Sequence, residues 1–163
     1  GSTGKIWFQD LYDNPRLDIA LRGGDRILVE ADTRAFTALG ATGTQSRMTF
    51  DSQQLSAIEA IAQVGGLNSA AADPKGVFIF RNEPGEIANQ VLGRDDLIGA
   101  QRMVYVLDLT EPNGMFQARD FVVRDGDTLY VTEAPFTTWD KTISSITGSA
   151  ASVSSLTTLG SGG

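Results

Sequence analysis

Val123-Arg124-Asp125-Gly126-Asp127-Thr128-Leu129-Tyr130-Val131 decides the fold, because the chain contains the pattern twice. The other copy is Leu21-Arg22-Gly23-Gly24-Asp25-Arg26-Ile27-Leu28-Val29. An apolar run ending in Asp-Leu precedes each copy, Ile6-Trp7-Phe8-Gln9-Asp10-Leu11 in one case and Val104-Tyr105-Val106-Leu107-Asp108-Leu109 in the other. Both stretches read as strand, Asp-Leu, polar connection, Arg-x-Gly-Asp turn, strand. Glycine ahead of aspartate suits a turn with one residue at positive φ, which singles out Gly24 and Gly126 as structural turn residues. Asp25 and Asp127 then organise the turn through side-chain-to-backbone bonds, and Asp10 and Asp108 have similar local roles. Two copies of one ending imply two related units in tandem.

Between the copies the pattern changes. Ala35–Leu39 and Arg47–Phe50 read as strands joined by a turn over Gly40 to Gly43. Asp51-Ser52-Gln53-Gln54 reads as a capping box opening a helix, with Leu55, Ile58, Ile61 and Ala62 as its apolar stripe and Gly65-Gly66 as its left-handed stop. Val77–Phe80 reads as a buried strand, and 82–101, with Pro84, Gly85, Gly93 and Gly99, as a loop-rich insertion. Hairpin, helix, strand, insertion, strand, turn, strand is an α+β order, and the β-grasp is its common form with a hairpin first. Trp7, Phe8, Phe78 and Phe80 are expected in the core.

Composition narrows the chemistry. The chain has 163 residues, 13 basic against 20 acidic, for a net charge of −7, with neither Cys nor His. An acidic chain does not displace counterions from phosphates, so no nucleic-acid partner is expected. Without Cys or His there is no disulfide, thiolate metal site, Ser/His pair or Cys/His pair. The carboxylates Glu83, Glu86, Asp95 and Asp96 lack accompanying ligands and read as a solvated loop, so no metal and no cofactor are expected. Gly23-Gly24 and Gly65-Gly66 are not phosphate loops, because no Gly-Lys-Ser/Thr follows. Tyr105 and Phe116 are possible sugar-stacking rings, but strand position argues for burial. No catalytic residue is assigned.

After Pro135 the only charges are Asp140 and Lys141. Projected at helical spacing, Trp139, Ile143, Ile146, Ala150 and Val153 share one face, and Ser144, Ser145, Gly148, Ser152 and Ser155 the other. A helix from Thr137 to about Leu159 is about 34 Å long against a hydrocarbon layer of about 30 Å. A hydroxyl-lined face opposite an apolar one suits a ring of helices around water, with Trp139 at an interface. The spacing equally suits a helix packed on its own domain, or a partly disordered tail. No run of 18 apolar residues exists, and Gly1-Ser2-Thr3-Gly4 has no features of a signal peptide.

Met103 to Phe116, continuing through Ala118 and Phe121 to Val131, closely resembles bacterial outer-membrane polysaccharide export proteins, above all those serving capsule export. The helix ending Gly65-Gly66-Leu67 and the Leu21–Val29 ending resemble elements of their SLBB, or soluble-ligand-binding β-grasp, domains. The resemblance implies tandem β-grasp (ubiquitin-like) SLBB units followed by a C-terminal amphipathic helix. Residues 1–32 would be the closing strands of a preceding unit, 33–135 a complete SLBB domain, 136–159 the outer-membrane-spanning helix and 160–163 a flexible tail. It further implies a ring-shaped homo-oligomer, expected as an octamer, that passes polysaccharide through the outer membrane. The SLBB domains would lie in the periplasm, meeting an inner-membrane polysaccharide co-polymerase or ABC exporter, and the terminal helices would contact outer-membrane lipid. The rivals are a soluble ligand- or partner-binding module and an accessory domain of a larger enzyme.

Overall fold

Ala35–Gly40 (β1) and Ser46–Thr49 (β2) pair antiparallel, and Gly40 turns the chain at φ 81°. The structure, a computed structural model, describes residues 3–133, Pro135 and residues 150–152. Residues 1–32 form one unit and the chain from residue 33 another.

In the second unit Leu55–Ser56 (β3) leads into Ala57–Gln63 (α2), followed by Val77–Pro84 (β4), Gly85–Leu92 (α3), Ala100–Leu107 (β5), Pro112–Asp120 (α4), Val122–Val123 (β6) and Thr128–Val131 (β7). The main sheet runs β2-β1-β7-β4-β5, with β1 and β7 parallel at its centre, the β-grasp arrangement. Alternation decides what each face buries. Val77, Ile79, Tyr105, Leu107, Leu129 and Val131 pack the main core with α2 and α4. Phe78 and Val104 form a smaller buried cluster on the opposite face, where Phe78 stacks on Tyr130 at 6.4 Å.

The helix starts later than the sequence suggests. Residues 51–54 are exposed bends, and Leu55 is buried opposite Val123. The capping box is Ser56 with Glu59: the Ser56 N–H donates to Glu59 Oε2 at 2.8 Å, and the Glu59 N–H donates to Ser56 Oγ at 3.3 Å. A carboxylate accepts these bonds better than the amide of Gln54. The buried face is therefore Ala57, Ala60, Ile61 and Val64, while Ala62 is exposed. The stop at Gly65-Gly66 is a Schellman motif, with Gly66 N–H on Ile61 O at 2.9 Å and Gly65 N–H on Ala62 O at 3.0 Å. Ser56 Oγ also donates to Glu59 Oε2 at 2.7 Å, and this bond with that from the Ser56 N–H holds the Glu59 carboxylate below its ordinary pKa of 4.5. A depressed carboxylate contributes stability above the unfolded value and loses it as pH falls through the folded one. Ser56→Ala should cost about 1 kcal/mol at neutral pH, and the difference from wild type should shrink below pH 4.5 in a urea titration.

The expected insertion is mostly regular. β4 continues to Pro84, α3 follows, and only 93–99 is loop. The glycines read as loop punctuation serve packing and capping. A Cβ on Gly85 would meet Leu97 O at 2.7 Å, and Gly93 is the left-handed cap of α3 at φ 64°. The polar connection after Asp108 likewise holds α4, with Pro112 in its first turn and Gly114 and Ala118 buried.

In residues 1–32 the expected first strand is instead a helix, Phe8–Asp13 (α1), with a 3-10 turn at Pro15–Leu17. Residues 27–29 form no strand, and Phe8, expected in the core, is 67% exposed. A strand requires a neighbour to take its backbone bonds, and the described residues of this unit supply none.

Ala150–Ser152 (β8) pairs in parallel with Val104–Val106. At these residues the structure departs from the helix expected over 136–159: Ala150 and Ser152, expected on opposite helix faces, lie on one short strand. β5 would otherwise leave its N–H and C=O groups open at the sheet edge, and Ser-, Thr- and Gly-rich sequence holds a helix weakly. Trp139, Ile143, Ser144, Ser145, Ile146, Gly148, Val153 and Ser155 lie outside the described residues. Among the described residues no helix is long and apolar enough to cross a membrane.

Candidate functional site

The period-two alternation that places Val77 and Ile79 in the core carries on to Arg81 and Glu83. Two charges therefore enter the core side of the sheet at the far end of β4. The Arg81 side chain is 6% exposed and that of Glu83 1%. Burying them requires partners, and the Gly-Asp turn supplies one. Arg81 donates to Asp127 through Nε to Oδ1 at 2.9 Å and Nη2 to Oδ2 at 2.5 Å, a bidentate pair. Nη2 also donates to Val122 O at 2.8 Å. The guanidinium lies 4.9 Å from the Phe121 ring. Burial opposes its charge, but Asp127 and Glu83 outweigh that and hold its pKa above the ordinary value.

Glu83 collects the remaining donors. Its Oε1 accepts from Tyr105 OH at 2.8 Å and Arg81 Nη1 at 3.4 Å, and its Oε2 from Arg124 Nη1 at 2.8 Å. Two cations and two carboxylates close a neutral network.

The turn is bonded on every side. Arg124 N–H donates to Asp127 Oδ2 at 2.8 Å, and Gly126 lies at φ 84°. Ala35 N–H donates to Asp125 Oδ1 at 2.9 Å and Thr37 N–H to Asp127 O at 2.9 Å, which ties β1 to the turn. The other copy has the same local form: Arg22 N–H donates to Asp25 Oδ2 at 2.7 Å, and Gly24 lies at φ 100°.

Tyr105, raised above as a sugar-stacking ring, is 1% exposed and bonded to Glu83, whereas Phe116 is 56% exposed under the Arg119 guanidinium. Glu83, read from sequence as solvated, is buried. Glu86, Asp95 and Asp96 are exposed, and Asp96 pairs with Arg94 at 2.6 Å. Among the described residues no group of three acidic side chains is placed to hold a metal ion. Sequence reasoning missed Arg81 and Glu83; the signal was the alternation Val77-Ile79-Arg81-Glu83 itself. A network with every charge matched and bonded is built to hold a turn, not to transfer protons.

Burial first, and the Glu83 carboxylate second, push the Tyr105 phenol above its ordinary 10.0. A raised folded value gives stability that is complete below the unfolded value and lost as pH rises. Thermal stability should therefore fall above pH 10, and Tyr105→Phe should lessen that fall. At neutral pH the same variant should cost about 1–2 kcal/mol, since Glu83 loses its phenol donor.

The profile of the SLBB domain family matches residues 34–131, from β1 through β7. The chain belongs to the SLBB domain family. The charge network thus closes an SLBB domain at its last turn. The chain is 33% identical over 132 residues to the Vi polysaccharide export protein of Salmonella typhi, covering 81% of this chain and 35% of that protein. It is 33% identical over 164 residues to the capsule polysaccharide export outer membrane protein CtrA of Neisseria meningitidis, covering 93% and 42%. It is also 33% identical over 140 residues to the capsule polysaccharide export protein BexD of Haemophilus influenzae, covering 82% and 36%. The chain spans about two fifths or less of these relatives.

Proposed function

We propose that this chain is part of an outer-membrane channel that exports capsular or extracellular polysaccharide. The observation that carries this reading is the similarity, over 81–93% of the chain, to proteins named for polysaccharide export. In this reading the subunits close a ring, an octamer, with their SLBB domains as periplasmic walls. Residues 136–159 form a bilayer-crossing helix with Trp139, Ile143, Ile146, Ala150 and Val153 toward lipid. Ser144, Ser145, Gly148, Ser152 and Ser155 line a wet lumen whose hydroxyls make many exchangeable bonds to a passing glycan. β8 is three residues on a sheet edge and costs little to release. An inner-membrane co-polymerase or ABC exporter meets the ring from below. Transport is passive at this subunit and uses no cofactor.

Circular dichroism and sedimentation of the chain in detergent test this, against the same chain ending at residue 136. Detergent should add helix and association only when the tail is present. A chain that stays monomeric and gains no helix would overturn the channel.

One observation favours a soluble binding role instead. An open cleft of about 450 Å³ lies between α2 and α4, lined by Gln54, Ser56, Glu59, Arg119, Asp120 and Val122, a volume within the range of ligand sites. Indifference to detergent, with oligosaccharide-induced shifts at these residues, would select it.

A further inference from the structure

The main sheet has two faces, and the helices use one of them. Every buried hydrophobic of α2, α3 and α4 belongs to the main core. The opposite face is apolar as well, and its cluster draws only on strands: Phe78 and Phe80 of β4, Val104 and Val106 of β5, and Tyr130 of β7. Register makes these one patch, with Phe78 beside both Val106 and Tyr130, and Phe80 beside Val104. Phe78 is 0% exposed and Val104 3%. Neighbours on one sheet face shield a side chain from its flanks and leave its top open, so burial that complete needs a covering layer.

Topology says which segment supplies the layer. β5 and β7 are both antiparallel to β4, hence parallel to each other, and β8 is parallel to β5. The chain therefore leaves β7 at Val131 and enters β8 at Ala150 in the same direction, on the far side of β4 and β5. A parallel return needs a crossover of about a dozen residues or more, and residues 132–149 provide it. Crossovers between parallel strands are right-handed in nearly all cases. The connection from β5 to β7 runs one way across the sheet, with α4 on the main-core face. The connection from β7 to β8 runs the opposite way. Two crossovers that run opposite ways between strands of one direction share a hand only when they lie on opposite faces. The main-core face is also already filled by α2, α3 and α4.

The intervening residues have a surface that matches. Trp139, Ile143 and Ile146 share one face at helical spacing, and the only charges in 136–149 are Asp140 and Lys141.

We propose that the face made by Phe78, Phe80, Val104, Val106 and Tyr130 is an internal docking site for residues 136–149. In water the segment crosses this face with Trp139, Ile143 and Ile146 against it. The stripe assigned to lipid in the export reading is then the stripe that covers the sheet outside a bilayer. The sheet and the bilayer compete for one segment, and leaving the sheet also frees β8. The docking site itself follows from topology and burial, and stands or falls separately from the export reading.

A spin label tests it in detergent-free buffer. The chain has no cysteine, so Ser145→Cys, on the hydroxyl side of the segment, carries a single nitroxide. The methyl signals of Val104 and Val106 should be lost in the labelled chain and return when the nitroxide is reduced, while those of Ala57 and Ala60 on α2 persist. Loss at Ala57 and Ala60, or no loss at Val104 and Val106, overturns the proposal. A mixture of nitroxide-bearing chains with isotope-labelled chains lacking the nitroxide reads contacts between copies. Loss of the Val104 and Val106 signals in that mixture also overturns the proposal, by assigning the face to a second copy.

Discussion

Arg81→Ala should cost about 3–5 kcal/mol, the penalty for removing one partner of a buried ion pair. Asp127 is 2% exposed and Glu83 1%, so neither carboxylate recovers water when the guanidinium goes. Asp127 keeps the Arg124 N–H of its own turn, and Glu83 keeps Tyr105 and Arg124. Against a typical domain stability of about 5–15 kcal/mol, the loss is large enough to unfold part of the population at growth temperature. The effect should reach the strands on both sides of β7, because the turn is tied to β1 through Asp125 and to β4 through Arg81. Arg81→Lys should fall between alanine and wild type, since an ammonium restores charge but not the two parallel bonds to Asp127. Adding Asp127→Asn to Arg81→Ala should return part of the loss by removing the stranded charge. Urea unfolding followed by circular dichroism measures all four proteins. A cost under about 1 kcal/mol for Arg81→Ala, the value of an exposed pair, would show that the network does not hold the turn.

The sequence makes the sheet legible wherever apolar alternation or an unbroken apolar run marks a strand. β1, β2 and the first half of β4 stand out for that reason, as does the Gly-Asp turn that ends each copy. It misleads where a rule of thumb about one residue type outweighs the period. Asn82 to Gln101 looks like loop because it is polar and rich in glycine, yet β4 and β5 stay paired to Pro84↔Ala100, with α3 as the connection. There the polar residues face partners inside the fold: Arg81 and Glu83 sit where the alternation puts core residues, and their pairing with Asp127 and Arg124 spans more than 40 positions. No local window contains both halves of such a bond. The strand expected at residues 27–29 failed for a different reason. Its pattern is that of β7, but a strand exists only beside another, and the described residues of that unit offer none. Where the expected terminal helix meets β8, an open edge on β5 competes with a weak intrinsic helix former.

Substituting Gly114 with alanine pits two effects of opposite sign against each other. In an exposed helix the change should stabilise by about 1 kcal/mol, since glycine is the poorer helix former. Gly114 is instead buried in the first turn of α4, where an added Cβ would overlap the carbonyl oxygen of Asp108 and lie 2.8 Å from its carbon. Both atoms are backbone, so no side-chain rotation relieves the clash. Asp108 also cannot retreat easily. Its Oδ1 accepts from Thr110 N–H at 2.9 Å, and the next N–H, that of Leu109, donates to Pro74 O at 2.9 Å. Either α4 lifts from the end of β5, loosening Ala118 in the core, or the Asp108 turn breaks its bonds. Overpacking of this kind costs about 1–3 kcal/mol, and the propensity gain offsets only part of it. Met115→Ala, one position along the same helix and 44% exposed, serves as the comparison and should be near neutral. Urea midpoints of the two variants decide the matter. If Gly114→Ala is as stable as wild type or more so, the close approach of α4 to β5 is wrong, and the glycine is there for some reason other than space.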